Sequence, residues 1–351
     1  MNVLFYSDTH IGLKRQANTT PASAERLAAK LWRTPLELMD GYPDALAVCL
    51  GDVFDSWTNS EADIELGHLL ALNTAYVLAG NHDLISRTDK LSSYQLLKNL
   101  ASASDKEKFI DSAYGEPASV TVVAGLAALT FVPHVSSADL FEQSLDMAIK
   151  EAEKFTDKWR VLCLHCNYAL GESLVKTDTT LNLTQERAYQ LLNHFHRILI
   201  GHEHVARQDP NTDRIQLVGS TFPTSFNDIS DKYAWLYDTD SNTLTSILLW
   251  SSAEGSYKGF ASELPDTPYA FYDLQDDLPP GAGARLVTKL FNQPDTLAVR
   301  ISRKDPKLCA AQTSAEEFES LPDLIEKELA KDAELLALFR EYRNATETNH
   351  Q

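Results

Sequence analysis

The sequence contains little cysteine and no long apolar run. Its four cysteines, Cys49, Cys163, Cys166 and Cys309, are scattered over 351 residues, which is too few and too dispersed for a disulfide framework. No apolar stretch approaches the ~20 residues that a membrane-spanning helix needs. The first residues lead directly into a short apolar strand, so no signal peptide is expected. We therefore expect a soluble, cytoplasmic protein without a membrane partner.

Positive charge is also scarce. The chain has 31 Lys and Arg against 50 Asp and Glu, which gives a formal net charge of -19. Such a protein is repelled by DNA phosphates unless bound cations, a local basic patch or a second subunit intervenes. Charge alone therefore argues against a nucleic-acid enzyme. The hydrophobic fraction of 44% is ordinary for a globular protein, and the length allows one large domain and a smaller one.

Five short apolar runs each end in a cluster of polar residues that can bind metals. The runs begin at Val3, Ala45, Tyr76, Arg160 and Arg197, and the clusters that follow them begin at Asp8, Gly51, Gly80, His165 and Gly201. Continuous apolar runs of this length predict strands that are buried on both faces. Helical patterns lie between them, which predicts an α/β fold. Ligands of such folds gather beyond the carboxyl ends of the strands, so the five clusters should converge.

The helices and the later strands can also be placed. We predict helices over 60–70, 91–100, 137–155 and 184–195, and the first has a capping box at Ser60 and Asp63. Strands are predicted over 214–219, 233–237 and 244–250, with a turn over 238–242 between the last two. We expect these three strands to complete a second sheet layer.

The chain beyond the last polar cluster suggests two further units. Residues 252–268 have the glycines and prolines of a loop, so we place a boundary that gives a large domain over 1–255. Strands predicted over 269–274, 284–291 and 296–301 indicate a small α/β cap over 256–312. The segment 313–351 has two apolar stripes at helical spacing, one of them Leu335–Tyr342. This helical tail either packs on its own cap or docks on a partner.

The clusters contain oxygen and imidazole donors and no thiolate. The candidate metal ligands are Asp8, His10, Asp52, Asn81, His165, His202 and His204. This donor set suits Mn, Fe or Zn rather than Ca or a structural zinc cage. Seven ligands are too many for one ion that keeps open positions, and they fit two ions that share a bridging carboxylate. Two metals ~3.5–4 Å apart are the usual arrangement for phosphate ester hydrolysis.

One further histidine is a candidate catalytic residue. His82 directly follows a ligand position and could donate a proton to the leaving oxygen. Asp55 and Asp83 are candidates to orient it. His134 follows a strand and could support the ligands. Strand alternation places Cys163 on the same face as His165 and turns Cys166 away, so neither cysteine is predicted to belong to the site.

The five clusters resemble the signature motifs of calcineurin-like metallophosphoesterases. The matching residues are Asp8-x-His10, Gly51-Asp52-x-x-Asp55, Gly80-Asn81-His82-Asp83, His165 and Gly201-His202-x-His204. The resemblance implies a two-sheet sandwich flanked by helices. It also implies that Asp8, His10 and His204 hold one metal, that Asn81, His165 and His202 hold the other, that Asp52 bridges them, and that His82 is catalytic.

Two segments resemble one branch of that superfamily, the SbcD and Mre-type nucleases. They are Asp8–Gly12 and the stretch from Gly201 to Phe226. This resemblance implies a DNA exonuclease and endonuclease that depends on two divalent ions, with Mn²⁺ first and Mg²⁺, Fe²⁺ or Zn²⁺ as alternatives. It also implies a homodimer and an SbcC-like coiled-coil ATPase partner on which the tail docks. The compact cap and short tail favour a phage or plasmid member.

One departure from the branch bears on catalysis. Many members have histidine where this chain has Asp55, which leaves open whether Asp55 shares in catalysis or only orients His82. Candidate DNA contacts are the basic loop residues Lys14, Arg15, Arg87 and Arg207, with Thr221, Thr224 and Ser225 as hydroxyl donors to phosphate. Each of these is equally a common kind of loop residue.

Two other functions stay open. The first is a stand-alone phosphatase or small-molecule phosphodiesterase of the same fold, which the net charge favours. The second is a non-catalytic scaffold, which the complete set of ligands opposes.

Overall fold

Two six-stranded sheets form the centre of the molecule in the computed structural model, which describes residues 1–14, 18–84, 91–112, 115–170, 181–279 and 281–302. Within these ranges the helices are α1 (Pro21–Gly41), α2 (Glu61–Leu72), α3 (Ser93–Leu100), α4 (Ala138–Ala152), α5 (Gln185–Leu191), α6 (Ser252–Gly255) and α7 (Ala282–Phe291). The predictions for Arg15, Arg87 and the tail 313–351, and for cap residues 303–312, lie outside the described residues.

The strands are β1 (Asn2–Tyr6), β2 (Leu46–Cys49), β3 (Tyr76–Leu78), β4 (Phe109–Ile110), β5 (Val120–Ala124), β6 (Ala127–Val132), β7 (Trp159–His165), β8 (Asn167–Ala169), β9 (Asn182–Thr184), β10 (Arg197–Gly201), β11 (Arg207–Gln208), β12 (Ile215–Leu217), β13 (Lys232–Asp238), β14 (Thr243–Trp250), β15 (Ser256–Phe260), β16 (Phe271–Gln275) and β17 (Ala298–Ser302).

The two large sheets are mainly parallel. The first has the order β14-β13-β1-β2-β3-β4, and β1 to β4 run parallel while β13 pairs antiparallel with β1. The second has the order β11-β12-β10-β7-β6-β5, with a parallel centre and antiparallel strands at both edges. Helices flank the pair of sheets, so the predicted α/β sandwich is confirmed.

Side-chain alternation explains why the central strands are apolar throughout. Val3 and Phe5 of β1 pack into the core between the two sheets, whereas Leu4 and Tyr6 pack on the opposite side, beneath the helices that cover the first sheet. Cys163 lies in the core between the sheets, and Cys166 packs under the helices of the second sheet. Both faces of these central strands are therefore buried, and the predicted separation of the two cysteines is confirmed.

The predicted helices are present, with shifted ends. Ser60 caps α2 with the predicted capping box, and Ser92, Ser137 and Thr184 cap α3, α4 and α5 through their side-chain oxygens. The helix α5 ends at Leu191, four residues before the predicted end. No helix in the described ranges has the length and apolarity to cross a membrane.

Three predictions about the later elements are wrong. The β13–β14 hairpin extends the first sheet rather than the second, because β13 pairs with β1; only β12 joins the second sheet. Residues 252–268 contain α6 and β15 as well as loop. The stretch 284–291 belongs to α7, not to a strand, since Leu286 and Leu290 are spaced four residues apart and pack on the small sheet.

A third sheet begins where the domain boundary is predicted. It consists of the parallel strands β15, β16 and β17, with α7 between the last two in the chain. Leu27 and Leu31 of α1 pack with Phe271 of β16, so the small sheet shares a core with the rest of the molecule. The division into domains over 1–255 and 256–312 stays a prediction.

Candidate metal centre

The candidate ligands lie where both large sheets end. Asp8 and His10 follow β1, Asp52 follows β2, and Asn81 follows β3 in the first sheet. In the second sheet His165 is the last residue of β7, and His202 and His204 follow β10. Because these five strands are parallel within their sheets, their carboxyl ends bring seven side chains from five segments to one place.

The backbone of this region is strained at four of the ligand positions. Asp8, His10, Asp52 and His202 have positive φ angles of 54°, 46°, 49° and 88°. Residues other than glycine rarely adopt this conformation, which costs on the order of 1–3 kcal/mol each and persists only where the surrounding structure imposes it. Such strain is typical of a functional site, where it turns the side chains towards a common point.

The ligand atoms form two groups, which a third group of His10, Asp52 and His82 connects. Asp8, His10 and His204 make one group, and Asp52, His165 and His202 another; within each, the atoms lie within 4.8 Å of one another. Nε2 of His10 is 2.9 Å from Nε2 of His204. Oδ2 of Asp52 is 3.3 Å from Nε2 of His165 and 4.0 Å from Nε2 of His10. Its carboxylate therefore lies between the two groups.

Asn81 completes the second group. Its Oδ1 lies 2.9 Å from Nδ1 of His202 and 3.1 Å from Nε2 of His165. Asp8, His10, Asp52 and His165 are buried, whereas Asn81, His202 and His204 are half-buried. The arrangement has a buried floor and a rim that solvent and substrate can reach.

The donor atoms fit divalent cations. Oδ1 of Asp8 is buried and has no hydrogen-bond partner, which is costly for a carboxylate unless a cation is bound. The closely facing imidazole nitrogens of His10 and His204 also need a shared cation or proton between them. Carboxylate, amide and imidazole donors without thiolate match a hard or borderline divalent ion.

Electrostatics keeps the central carboxylate charged. Burial opposes ionisation of Asp52, but the facing His165 and the nearby His10 hold the pKa of Asp52 well below its usual range. Burial likewise opposes charging of His165, but Asp52 raises the pKa of His165 to about 9. Burial, reinforced by the charge on His165, lowers the pKa of His202 to about 4. An ionised Asp52 is the state that a bridging ligand requires.

Two glycines leave room for these side chains. A Cβ on Gly51 would lie 2.8 Å from Cγ of His165, and one on Gly80 would lie 2.8 Å from Cγ of Asp52. Gly51 also has a φ of 104°, which side chains rarely permit. Both motif positions therefore require glycine, because any side chain there would overlap His165 or Asp52.

His82 is oriented by a main-chain oxygen. Its Nδ1 donates to the carbonyl oxygen of Asp55 at 2.6 Å, which places the ring proton on Nδ1 and leaves Nε2 free. The ring lies edge-on to that of His10, with centroids 5.0 Å apart. Half-buried on the rim, His82 can meet a substrate.

The two carboxylates expected to orient His82 contact other groups. Oδ1 of Asp55 lies 3.3 Å from Nδ1 of His10, at ion-pair distance without the alignment of a hydrogen bond. The carboxylate of Asp83 accepts from the backbone nitrogens of Val53 and Gly80 and thus ties two ligand loops together. Burial, reinforced by Asp52, raises the pKa of Asp83 to about 6. The ring of His82 is thus hydrogen-bonded to the main chain of Asp55 and to neither of the two carboxylates predicted to orient it.

A match to a family model identifies the family of the chain. The model for calcineurin-like phosphoesterases matches residues 1–206, which include all seven candidate ligands and His82. The chain belongs to the calcineurin-like phosphoesterase family. It is accordingly a metal-dependent hydrolase of phosphoester bonds.

Solved structures resemble this phosphoesterase only distantly. The protein TT1561 of Thermus thermophilus is 10% identical, with a TM-score of 0.42, over 71% of this chain and 99% of its own. An archaeal phosphodiesterase is 16% identical, with a TM-score of 0.34 and the same coverages. The NAD nucleotidase of Haemophilus influenzae is 9% identical, with a TM-score of 0.38, over 88% of this chain and 58% of its own.

No curated protein matches the phosphoesterase chain at the level of sequence.

The predicted DNA-contact residues differ in how free they are. Arg207 is occupied: its guanidinium binds both carboxylate oxygens of Glu203, donates to the main-chain oxygen of Tyr168 and lies over the Tyr168 ring. Lys14 is exposed. Thr224 donates through its hydroxyl to Asp228. Arg207 therefore fixes the loop between His202 and His204 rather than offering a free charge to a phosphate.

His134 lies against a ligand loop. Its backbone nitrogen donates to the main-chain oxygen of Ala79, immediately before Gly80. Burial, and then the charge on His165, lowers the pKa of His134 to about 3. His134 is thus a neutral imidazole next to the metal centre.

Two residues near the site were not predicted from the sequence. Nδ1 of His204 lies 3.2 Å from Oδ2 of Asp228, and the ammonium of the fully buried Lys232 binds Oδ1 of the same carboxylate. Asp228 lies two residues past the motif-like segment that ends at Phe226. The only local signal is the four-residue spacing of opposite charges, which is common on protein surfaces and therefore weak.

Proposed function

We propose that this phosphoesterase is a two-metal phosphodiesterase that cleaves DNA, acting as an exonuclease and endonuclease in a complex with an SbcC-like ATPase. The observation that supports it most directly is the convergence of six metal-binding side chains around a seventh, Asp52, with His82 beside them. The segments Asp8–Gly12 and Gly201–Phe226, which resemble SbcD-like nucleases, support DNA as the substrate.

The distances support the proposed ligand roles. Asp8, His10 and His204 hold one ion, Asn81, His165 and His202 hold the other, and Asp52 is shared. Two bound divalent ions, Mn²⁺ in this proposal, would offset the charge of the phosphate and supply a reactive water at neutral pH. The half-buried rim formed by His202 and His204 leaves the phosphate an open approach.

His82 is the proposed catalytic residue. Because Nδ1 donates to Asp55, Nε2 is the atom that can carry a proton to the leaving oxygen of the cleaved ester. This hydrogen bond holds the ring in place and leaves its other nitrogen available to pass a proton to the substrate. Asp55 contributes its main-chain oxygen to this role, and its carboxylate faces His10 instead.

A stand-alone phosphatase or small-molecule phosphodiesterase is the second candidate. It is favoured by the net charge of -19 and by the ion pair that neutralises Arg207. Both observations reduce the positive charge available to bind a DNA backbone. They are compatible with a DNA enzyme only if bound metals and a partner subunit supply the missing attraction.

One experiment separates the two candidates. End-labelled duplex DNA and a chromogenic phosphodiester are incubated with the Mn²⁺-loaded protein and with Asp52→Ala. Cleavage of DNA that disappears in Asp52→Ala supports the nuclease. Hydrolysis of the small ester alone, unchanged when the ATPase is added, contradicts it and favours the second candidate.

A homodimer is part of the proposal, and α2 and α3 offer a surface for it. The two helices pack together, and α2 exposes Leu69 and Leu72 while α3 exposes Leu96 and Leu100. Within each helix the two leucines are three or four residues apart and so share a face. Two copies of such a helix pair can bury these leucines against each other.

The dimer has a direct test. Leu72→Asp combined with Leu100→Asp should convert the protein to a monomer in light scattering. Leu126→Asp changes another exposed leucine, in the turn between β5 and β6, and should leave the mass unchanged. A monomeric wild-type protein at micromolar concentration would contradict the dimer.

The ATPase is proposed to dock on the tail 313–351. Replacing Leu335 and Leu338 with aspartate should abolish copurification with the ATPase while metal content is unchanged. Retention of the complex would place the docking surface elsewhere.

A further inference from the structure

The two groups of ligands are supported by different chemistry. We name Asp8, His10 and His204 the first triad, and Asn81, His165 and His202 the second triad. In the first triad His204 donates from Nδ1 to the carboxylate of Asp228. In the second triad His165 donates from Nδ1 to the main-chain oxygen of Leu50, at 2.7 Å. One histidine thus has an anionic partner and the other a neutral one.

Charge also distinguishes the two triads. The first triad contains a carboxylate of its own, Asp8, whereas the second has only the neutral amide of Asn81 and two imidazoles. The carboxylate of Asp55 adds a further negative charge 3.3 Å from His10. Asp52 lies between the triads and is common to both. A divalent cation is therefore more strongly attracted to the first triad.

Asp228 is held rigidly in place. Oδ2 accepts from the backbone nitrogen and the hydroxyl of Thr224, both at 2.9 Å. Oδ1 binds the ammonium of Lys232, which is 0% exposed. The same ammonium donates to the main-chain oxygen of His204 at 2.9 Å. Lys232 thus contacts both the ligand and the carboxylate that supports it.

A buried lysine is costly unless it is paired, and here its partner is the carboxylate behind a metal ligand. A carboxylate that accepts from the second nitrogen of a ligating histidine fixes the orientation of the ring and makes it a stronger donor. Asp228, which is paired with Lys232, provides such a support for His204 in the first triad. No carboxylate is hydrogen-bonded to the second ring nitrogen of His165 or His202 in the described residues.

We propose that Asp228, held by Lys232, is a positioning residue that makes the first triad the tighter of the two metal positions, so that this position fills first. The inference rests on the two-metal site of the proposed function but not on DNA as the substrate.

Metal titration without any nucleic acid tests the proposal. Mn²⁺ is added to the metal-free protein, and the free ion is followed by electron paramagnetic resonance. We expect two binding steps of different affinity. Asp228→Asn should weaken the tighter step about 10- to 100-fold, the range found when such supports are removed, and leave the weaker step unchanged. Asp273→Asn, which removes a carboxylate paired with Arg300 in the small sheet, should change neither step.

Ligand variants assign the steps to the triads. His204→Ala should remove the tighter step, and Asn81→Ala the weaker one. The visible spectrum of Co²⁺ added at one equivalent should change in Asp228→Asn and not in Asp273→Asn. If Asp228 only stabilises the fold, the two metal affinities and the Co²⁺ spectrum should stay the same in Asp228→Asn.

A second variant shows whether weaker metal binding is caused by misfolding. Asp228→Asn combined with Lys232→Met leaves no unpaired charge in the core, a change that folded proteins often tolerate. It should fold, as judged by thermal unfolding of the metal-free form, and still show the same weakening of the tighter step. Two steps of equal affinity in the wild type, or a loss in Asp228→Asn confined to the weaker step, would overturn the proposal. Normal metal binding without DNA cleavage would refute DNA as the substrate and would leave the proposed role of Asp228 unaffected.

Discussion

Gly80→Ala is the smallest change that should disable the metal centre. The added methyl group would lie 2.8 Å from Cγ of Asp52 and closer still to its Oδ1 and backbone nitrogen. The backbone at Gly80 does not require a left-handed conformation, so the methyl group itself is the perturbation. Asp52 cannot turn away freely, because Oδ1 accepts from the backbone nitrogen of His82 at 2.9 Å.

The size of the effect can be worked out from these contacts. Ordinary van der Waals contact begins at 3.4 Å, so Cγ must move by about 0.6 Å and the closer atoms by on the order of 1 Å. A misplacement of that size in a catalytic arrangement costs about 10²-fold in rate. We therefore expect hydrolysis of a chromogenic phosphodiester to fall by about 100-fold.

The control is a second glycine that has open space around it. At Gly41, the last residue of α1, an added methyl group would meet nothing within 4 Å, so Gly41→Ala should retain full activity. Both variants are assayed at saturating Mn²⁺ with the folded fraction checked by circular dichroism. Near-normal hydrolysis by folded Gly80→Ala would show that Asp52 is not at the reacting centre.

Four further outcomes are expected. His82→Ala should bind both metals and lose about 10²- to 10⁴-fold in rate; normal cleavage would remove His82 from the mechanism. Asp55→Ala should keep the orientation of His82, which depends on the main chain, so that Mn²⁺ affinity falls through His10 more than the rate at saturating metal. Removing metal with a chelator should lower the melting temperature, because an ion present at 100 times its dissociation constant adds about 2.7 kcal/mol of stability. Burial and neighbouring arginines lower the pKa of His196 below 6.5, so the unfolded chain binds the extra proton and stability is lost as pH falls below about 6.5; His196→Gln should lessen the fall in melting temperature below that pH, to which His134 and His202 also contribute.

The sequence predicted the strands that carry ligands because their signal is local. An apolar run that is buried on both faces and followed by Asp, His or Asn, such as β1 before Asp8, is visible in a few residues. The orientation of His82 was not predictable in the same way. Its partner is a main-chain oxygen of Asp55, and main-chain oxygens leave no trace in a sequence.

Two elements show where sequence patterns mislead. The helix α1 carries Pro35 in its interior, a residue that normally ends a helix, and no helix was predicted there. The segment 284–291 is rich in apolar and β-branched residues and was assigned as a strand, yet the spacing of Leu286 and Leu290 serves a helix that packs on the small sheet.

Sheet assignment and the support of His204 depend on contacts between distant segments. Pairing of β13 with β1 joins Val3 to Tyr237 and Phe5 to Trp235, at opposite ends of the large domain, which no local pattern can reveal. The contact of Asp228 with His204 likewise depends on how the loop after β12 folds back onto the site.

The central claim is that Asp52 is shared by two metal ions, and anomalous diffraction from crystals of the Mn²⁺-loaded protein tests it most directly. The account predicts two anomalous peaks about 3.5–4 Å apart, one beside His10 and His204 and the other beside His165 and His202, with Asp52 between them. A single peak, or two peaks of which neither contacts Asp52, would contradict it.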